Sequence, residues 1–297
     1  MKNLQNEILK EFGLNLELKP FGDNEARNNI FLGESKEKSF IVKLEDVKQL
    51  EQVKLSINVA SNLLRSNLIS SSRYIETISG KFFQVIGNKI VTVQEKEDLA
   101  KLMFKKSEDL ISLGEVIGEF HILLSNMILK DLKKSDFYKD FMWGDVPLAQ
   151  SSDRLEEVEA FYKKYTPNYE LLTNGVVHND LNSNNIFRLG KKFFFIDFEF
   201  LKESPLISDL GVLALEFWDN KNGTQDYIDK LKYLLKGYEK KIKLSEYDKD
   251  NIVVFSLRYL FSDENWYNYW SSNGNPASRE LIPEIREKQN LLLQVIN

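Results

Sequence analysis

Apolar residues recur at helical spacing at the start of the chain. Leu4, Ile8 and Phe12 share one face and Gly13 follows them, which predicts a short helix with a glycine stop. The period then drops to two. Leu14, Leu16 and Leu18 alternate with polar residues, as in a half-buried strand. A turn-rich stretch, residues 22–29, leads into two more strand-like runs, IFLGE and SFIVKL. Leu50, Val53, Ile57, Ala60 and Leu64 mark a helical stripe between residues 46 and 65. The runs KFFQVIG and KIVTVQ flank Gly87-Asn88, a dipeptide that closes two-residue hairpins. The predicted order over the first third is strand, strand, strand, helix, strand, strand.

The charged stretch EKEDLAKLMFKK, residues 95–106, interrupts this pattern and reads as a linker. The expected division is a lobe of residues 1–95 and a lobe of residues 96–297. In the second, helical periodicity dominates. Leu110, Leu113, Ile117, Phe120 and Leu124 form one long stripe that carries His121, and residues 154–165 read as another helix. The interval VVHNDLNSNNIFRLGKKFFFIDFEF reads strand, polar loop, strand, turn, strand. Helices resume at about residues 206–219, 226–241 and 249–260, with a last one running to the end.

Composition narrows the function classes. The 297 residues include 42% hydrophobic positions, enough for a real core. Cysteine is absent and histidine occurs twice, which excludes a disulfide scaffold, a thiol nucleophile and a zinc site of the usual ligands. A net charge of −5 disfavours a nucleic-acid binder. No apolar block suggests a secretory signal or a membrane span, so a cytoplasmic protein is expected.

The chemistry concentrates in His178-Asn179-Asp180 with Asn185 five residues on, and in Ile196-Asp197-Phe198-Glu199 at the next strand end. This spacing suits phosphoryl transfer. A loop carboxylate, Asp180, can orient and deprotonate a hydroxyl, while Asn185 and Asp197 offer the oxygen ligands that Mg²⁺ prefers. These segments, with Ser208-Asp209-Leu210-Gly211 after them and LGEVIGEFH before them, resemble the kinase-like small-molecule phosphotransferases. That family includes aminoglycoside phosphotransferases, choline and ethanolamine kinases and a homoserine kinase type. The forms His-Asn-Asp and Ile-Asp-Phe-Glu-Phe look most like the choline and ethanolamine kinases.

The resemblance implies an α+β, two-lobed protein-kinase-like fold, with a small β-rich N-terminal lobe and a larger, mostly helical C-terminal one. It implies Asp180 as catalytic base, Asn185 and Asp197 as metal ligands, and ATP with Mg²⁺ as cofactors. Lys43 stands where such kinases place the lysine of the α/β-phosphates, with Glu51 the nearest glutamate to pair with it. Asn29, with Asn28 and Arg27, stands in for a glycine-poor phosphate loop, and Gln94 and Glu95 begin a hinge for the purine. His178 is expected to brace the loop. Asp209 is expected either to bind the loop backbone or to cap the next helix. For the hydroxyl acceptor, a small amine-bearing molecule, the candidates are Glu199, Trp266, Tyr269 and Trp270, with Trp218 and Asp219 behind them. Aminoglycoside or homoserine phosphorylation, and an inactive nucleotide-binding module, are the alternatives. The aromatic candidates have a plainer reading as core packing.

Overall fold

The computed structural model describes residues 1–21, 29–103, 106–129, 132–137, 154–272 and 276–296. In chain order the main elements are α1 (Lys2–Phe12), β1 (Glu17–Pro20), β2 (Ile30–Glu34), β3 (Ser39–Asp46), α2 (Leu50–Leu63), β4 (Ile69–Ser71), β5 (Gln84–Ile86), β6 (Lys89–Glu95) and β7 (Ala100–Lys101). There follow α3 (Ser107–Ser125), α4 (Leu155–Tyr165), β8 (Asn174–Val177), β9 (Ile186–Leu189), β10 (Lys192–Phe195) and β11 (Lys202–Pro205). The chain closes with α5 (Ile207–Glu216), α6 (Gly223–Tyr238), α7 (Glu246–Ser272) and α8 (Ile282–Ile296). The β-rich first part and helical second part are those expected of the α+β kinase-like class.

Two compact units emerge. The first is Met1–Leu102 together with Asn184–Glu199; the second is Met103–Ser183 with Phe200–Asn297. These bounds depart from a single division after residue 95. The stretch read as a linker contains β7, which pairs with β9, and β4 pairs in parallel with β10, so the β9–β10 hairpin belongs to the first unit.

In the first unit a five-stranded sheet has the order β1-β2-β3-β6-β5. Strand alternation sends Phe40, Val42, Val91 and Val93 to one face, where Ile8 and Phe12 of α1 complete a core. The other face meets α2, with Val53 and Ile57 packed on Ile90. Lys43, Thr92 and Gln94 share that second face, since Lys43 pairs with Thr92 and Ile41 with Gln94. The hairpin at Gly87-Asn88 forms as expected, with Gly87 at φ 62° supplying the positive φ that such a turn requires.

In the second unit α3 and α6 pack closely through glycines. A methyl group at Gly114 would collide with the Leu234 carbonyl, and one at Gly237 with the Ile111 carbonyl. α7 runs between α5 and α8 and is longer than its apolar pattern suggested. β11, not foreseen, pairs antiparallel with β8 and anchors the strand that leads into His178. No helix among the described residues is long and apolar enough to cross a membrane.

Candidate active site

The first unit holds a cavity of about 660 Å³, within the usual range for small-molecule sites. β2 and β3 contribute Ile30, Ile41, Lys43 and Glu45 to its walls, and α2 contributes Val53, Ser56 and Ala60. The β9–β10 hairpin supplies Phe187 and Phe194, and the residues on either side of it supply Asn185, Asp197 and Glu199. Gln94 through Ala100 run along one edge.

Period-two geometry puts Lys43 and Glu45 on the same face of β3. The Lys43 ammonium lies 3.5 Å from Asp197 Oδ1. Burial works against the lysine's charge, but Asp197 and Glu199 outweigh it and hold the pKa above its ordinary value. Asp197 has φ 68°, a left-handed conformation in which an aspartate is tolerated better than most residues and which turns its carboxylate out of the strand direction. Glu199 lies within hydrogen-bonding reach of both Asp197 and Glu45. Burial, and then the Asp197 charge, pushes Glu199 up to about 7. Asn185 is buried, and its carbonyl accepts the Ile196 N–H at 3.1 Å, which ties it to the strand end that carries Asp197.

This arrangement corrects one expectation and sharpens others. Glu51 is exposed and pairs with Lys54 at 2.8 Å; the partner of Lys43 is Asp197. Glu199 stands with the Lys43–Asp197 pair in the wall of the same cavity. The Glu95 side chain turns to Lys38, at 2.7 Å, and its backbone N–H donates to the Arg73 carbonyl at 2.9 Å. Asn29 is exposed and gives its carbonyl to the Leu44 N–H at 2.7 Å; it does not line the cavity. Asn28 and Arg27 lie outside the described residues. Glu45 was missed, although its position two residues beyond Lys43 on a strand was signal enough.

Asp197 and Asn185 bring a carboxylate and an amide oxygen to the same end of the cavity, donors of the kind a hard divalent cation takes. Among the described residues no group of three or more acidic or histidine side chains is placed to hold a metal ion. Mg²⁺ characteristically takes few protein ligands and completes its shell with water and phosphate oxygens.

The second unit carries Asp180 on a loop that is fastened from below. Asp209, fully buried, accepts the backbone N–H groups of His178 at 2.8 Å and of Asn179 at 2.9 Å. His121 Nε2 also meets Asp209 at 3.1 Å, and its Nδ1 meets the Tyr238 hydroxyl at 2.8 Å. Asp209 is thus the loop's anchor, and it sits inside α5 instead of capping it. Asn179 takes φ 67°, which turns the chain so that Asp180 follows. Asn182 Nδ2 donates to Asp180 Oδ1 at 2.8 Å, and the Ser183 N–H donates to Glu216 at 2.9 Å.

On α7, Tyr259, Asp263 and Tyr267 fall at four-residue spacing, hence on one face. The Tyr259 hydroxyl hydrogen-bonds Asn182, and Asp180 and Glu216 act on both tyrosines. Burial and then Glu216 push Asp263 up to about 7, against the pull of Lys288. Trp266, Tyr269 and Trp270 instead contact one another, with ring centroids 5.3 and 5.7 Å apart. Trp218 is core: its Nε1 donates to Gly223 and its ring meets Tyr227. Asp219 caps the following turn by accepting the Lys221 N–H.

The sequence profile of the phosphotransferase enzyme family matches residues 17–242, about three quarters of the chain. The chain belongs to that family. No curated protein sequence matches this phosphotransferase. Among solved structures it resembles an amicoumacin kinase in complex with AMP-PNP, Ca²⁺ and Ami, at 13% identity and TM-score 0.77, covering 99% of this chain and 93% of that one. A microcompartment-associated aminopropanol kinase is 14% identical with TM-score 0.74, over 99% and 97% of the two chains. The choline kinase LicA from Streptococcus pneumoniae is 15% identical with TM-score 0.64, over 97% and 98%. At such identities the likeness establishes the kinase-like fold.

Proposed function

We propose that this phosphotransferase moves the γ-phosphoryl group of Mg-ATP to a hydroxyl of a small, amine-bearing molecule, with a choline- or ethanolamine-like amino alcohol as the first candidate. The observation that carries the reading is the Lys43–Asp197 pair in the wall of a nucleotide-sized cavity. Lys43 holds the α/β-phosphates. Asn185 and Asp197 hold the cation, which when bound offsets the charge of the phosphate oxygens. Asp180 takes the proton of the acceptor hydroxyl, and Asn182 fixes its carboxylate for that task. Little covalent work falls to the protein; positioning and charge supply most of the rate.

Support for an amine-bearing acceptor comes from the second unit. Glu216 and Asp263 are acidic neighbours, and Lys288, whose charge acts on Asp263, is already bound to Glu284 at 2.9 Å. Tyr259 and Tyr267 add aromatic surface on the same face of α7, and an ammonium group gains from both kinds of neighbour. An aminoglycoside or an amino acid such as homoserine meets the same requirement.

The test is ADP release from Mg-ATP across a panel of amino alcohols, aminoglycosides and amine-free alcohols, with Asp180→Asn as control. Release that depends on an amine-bearing acceptor and drops at least a hundredfold in the variant is expected. Equal turnover with amine-free alcohols would refute the acceptor class. ATP binding with no acceptor-dependent release anywhere in the panel would favour an inactive nucleotide-binding module.

A further inference from the structure

The resemblance places Gln94 at the start of a purine hinge but gives its side chain no contact to make. Its side chain is 6% exposed, lines the first unit's cavity, and makes no hydrogen bond to the described residues. The amide is open to the cavity, so it is available to a molecule held there. Two polar neighbours lie on the same face of the sheet and on the helix opposite. The hydroxyls of Ser56 on α2 and of Thr92 on β6 are buried and without a hydrogen-bond partner among the described residues. Ser56 lines the same cavity.

Strand register locates Gln94 along the cavity. Gln94 pairs with Ile41 and Thr92 with Lys43, so Gln94 stands one non-adjacent step from the phosphate-binding lysine, about 7 Å at the usual strand rise. That span is on the order of the distance from a purine ring across its ribose to the first phosphate. Ile30, Ile41, Phe187 and Ile196 give the cavity apolar lining suited to a flat ring. Beyond Gln94 the backbone N–H groups of Glu95 and Lys96 are already given to the carbonyls of Arg73 and Ser39. The Gln94 amide is therefore a polar group at the ring position, left over after the backbone pairing is complete.

We propose that Gln94 reads the 6-position of the donor purine, and reads it in either sense, so that the protein accepts ATP and GTP alike. This rests on the nucleotide reading of the cavity given above. An amide offers an acceptor oxygen and a donor NH₂, and turning it over exchanges the two. The oxygen suits the 6-amino group of adenine; the NH₂ suits the 6-oxo group of guanine. A glutamine locked by a fixed donor or acceptor would serve only one. Here the unpartnered groups nearby are hydroxyls, which rotate and can either donate or accept, so neither orientation is imposed.

The experiment is calorimetric titration of the protein with Mg²⁺ and the non-hydrolysable analogues AMP-PNP and GMP-PNP. Wild type is expected to bind both with dissociation constants within about tenfold of each other, roughly the effect of one well-placed hydrogen bond. An analogue of purine riboside triphosphate, which lacks a 6-substituent, is expected to bind about tenfold more weakly than either. Gln94→Glu has acceptor oxygens only. It should keep AMP-PNP binding, which also shows that the variant is folded, and lose at least tenfold more affinity for GMP-PNP. A wild-type preference beyond tenfold for one analogue overturns the proposal, as does a Gln94→Glu protein with an unchanged ratio. Binding of one analogue alone would sink this inference and leave the nucleotide cavity standing. Binding of neither would remove both.

Discussion

Asp263 predicts a variant that is more stable and less active. Its carboxyl sits on α7 beside Glu216, and burial followed by that neighbour's charge pushes it up to about 7 from an ordinary 3.8. Below about pH 4 it is protonated in the folded and unfolded chains alike, and costs nothing. Between about pH 4 and 7 it ionises in the unfolded chain but keeps its proton in the folded one, so stability falls as pH rises. Above about 7 the full penalty is present. Three pKa units at about 1.4 kcal/mol each set an upper figure of roughly 4 kcal/mol. Asp263→Asn removes the charge but keeps a polar side chain to bury, so a gain of about 1–3 kcal/mol at pH 8 is expected. For a unit of this size that is roughly 2–10 °C in melting temperature. Urea unfolding of both proteins at pH 4 and pH 8 gives the comparison, with the difference vanishing at pH 4. The same variant should bind an amine-bearing acceptor worse, with KM raised about tenfold. A variant no more stable than wild type at pH 8, or one with the same pH slope between 4 and 7, would refute the reasoning.

Three more perturbations probe other parts of the structure. Asp209→Asn leaves one oxygen where two backbone N–H groups and His121 now converge; kcat should fall at least tenfold and unfolding free energy by about 1–3 kcal/mol, read by steady-state kinetics and urea titration. Asp197→Asn deprives Lys43 of its charged partner and the cation of a ligand. Turnover should drop by two orders of magnitude or more, with the circular dichroism spectrum unchanged; retained turnover would exclude Asp197 as a ligand. Gly237→Ala drives a methyl group into the Ile111 carbonyl and should destabilise the α3–α6 pair by about 2 kcal/mol or more, whereas Gly190→Ala has open space around the new carbon and only its φ of 59° to strain it. A smaller loss at Gly237 than at Gly190, by thermal melting, would contradict the packing described.

What the sequence disclosed and what it concealed divide along one physical line. The Asp180–Asn185 spacing, the Gly87-Asn88 turn and the Lys43 strand depend on neighbours within a few residues, and each is legible from its own segment. Glu45 belongs with them, since period two places it beside Lys43 on one face of β3. β4 is different. Ile69-Ser70-Ser71 has no strand-like alternation, and it becomes a strand because β10, more than a hundred residues later, offers a parallel partner. That same pairing carries Asn185 and Asp197 into the first unit, away from the helical half that surrounds them in sequence. α7 shows the limit of periodicity itself. Its Trp- and Tyr-rich end supports two stripes at helical spacing, Tyr259–Asp263–Tyr267 and Trp266–Trp270, and each is as regular as the other. The choice between them is made by Asn182, whose contact with Tyr259 joins one stripe to the Asp180 loop. No local pattern encodes that contact, because it depends on how α7 packs against α5 and the loop before it. A local motif can therefore propose a base, while the residues proposed to recognise its substrate follow only from tertiary packing.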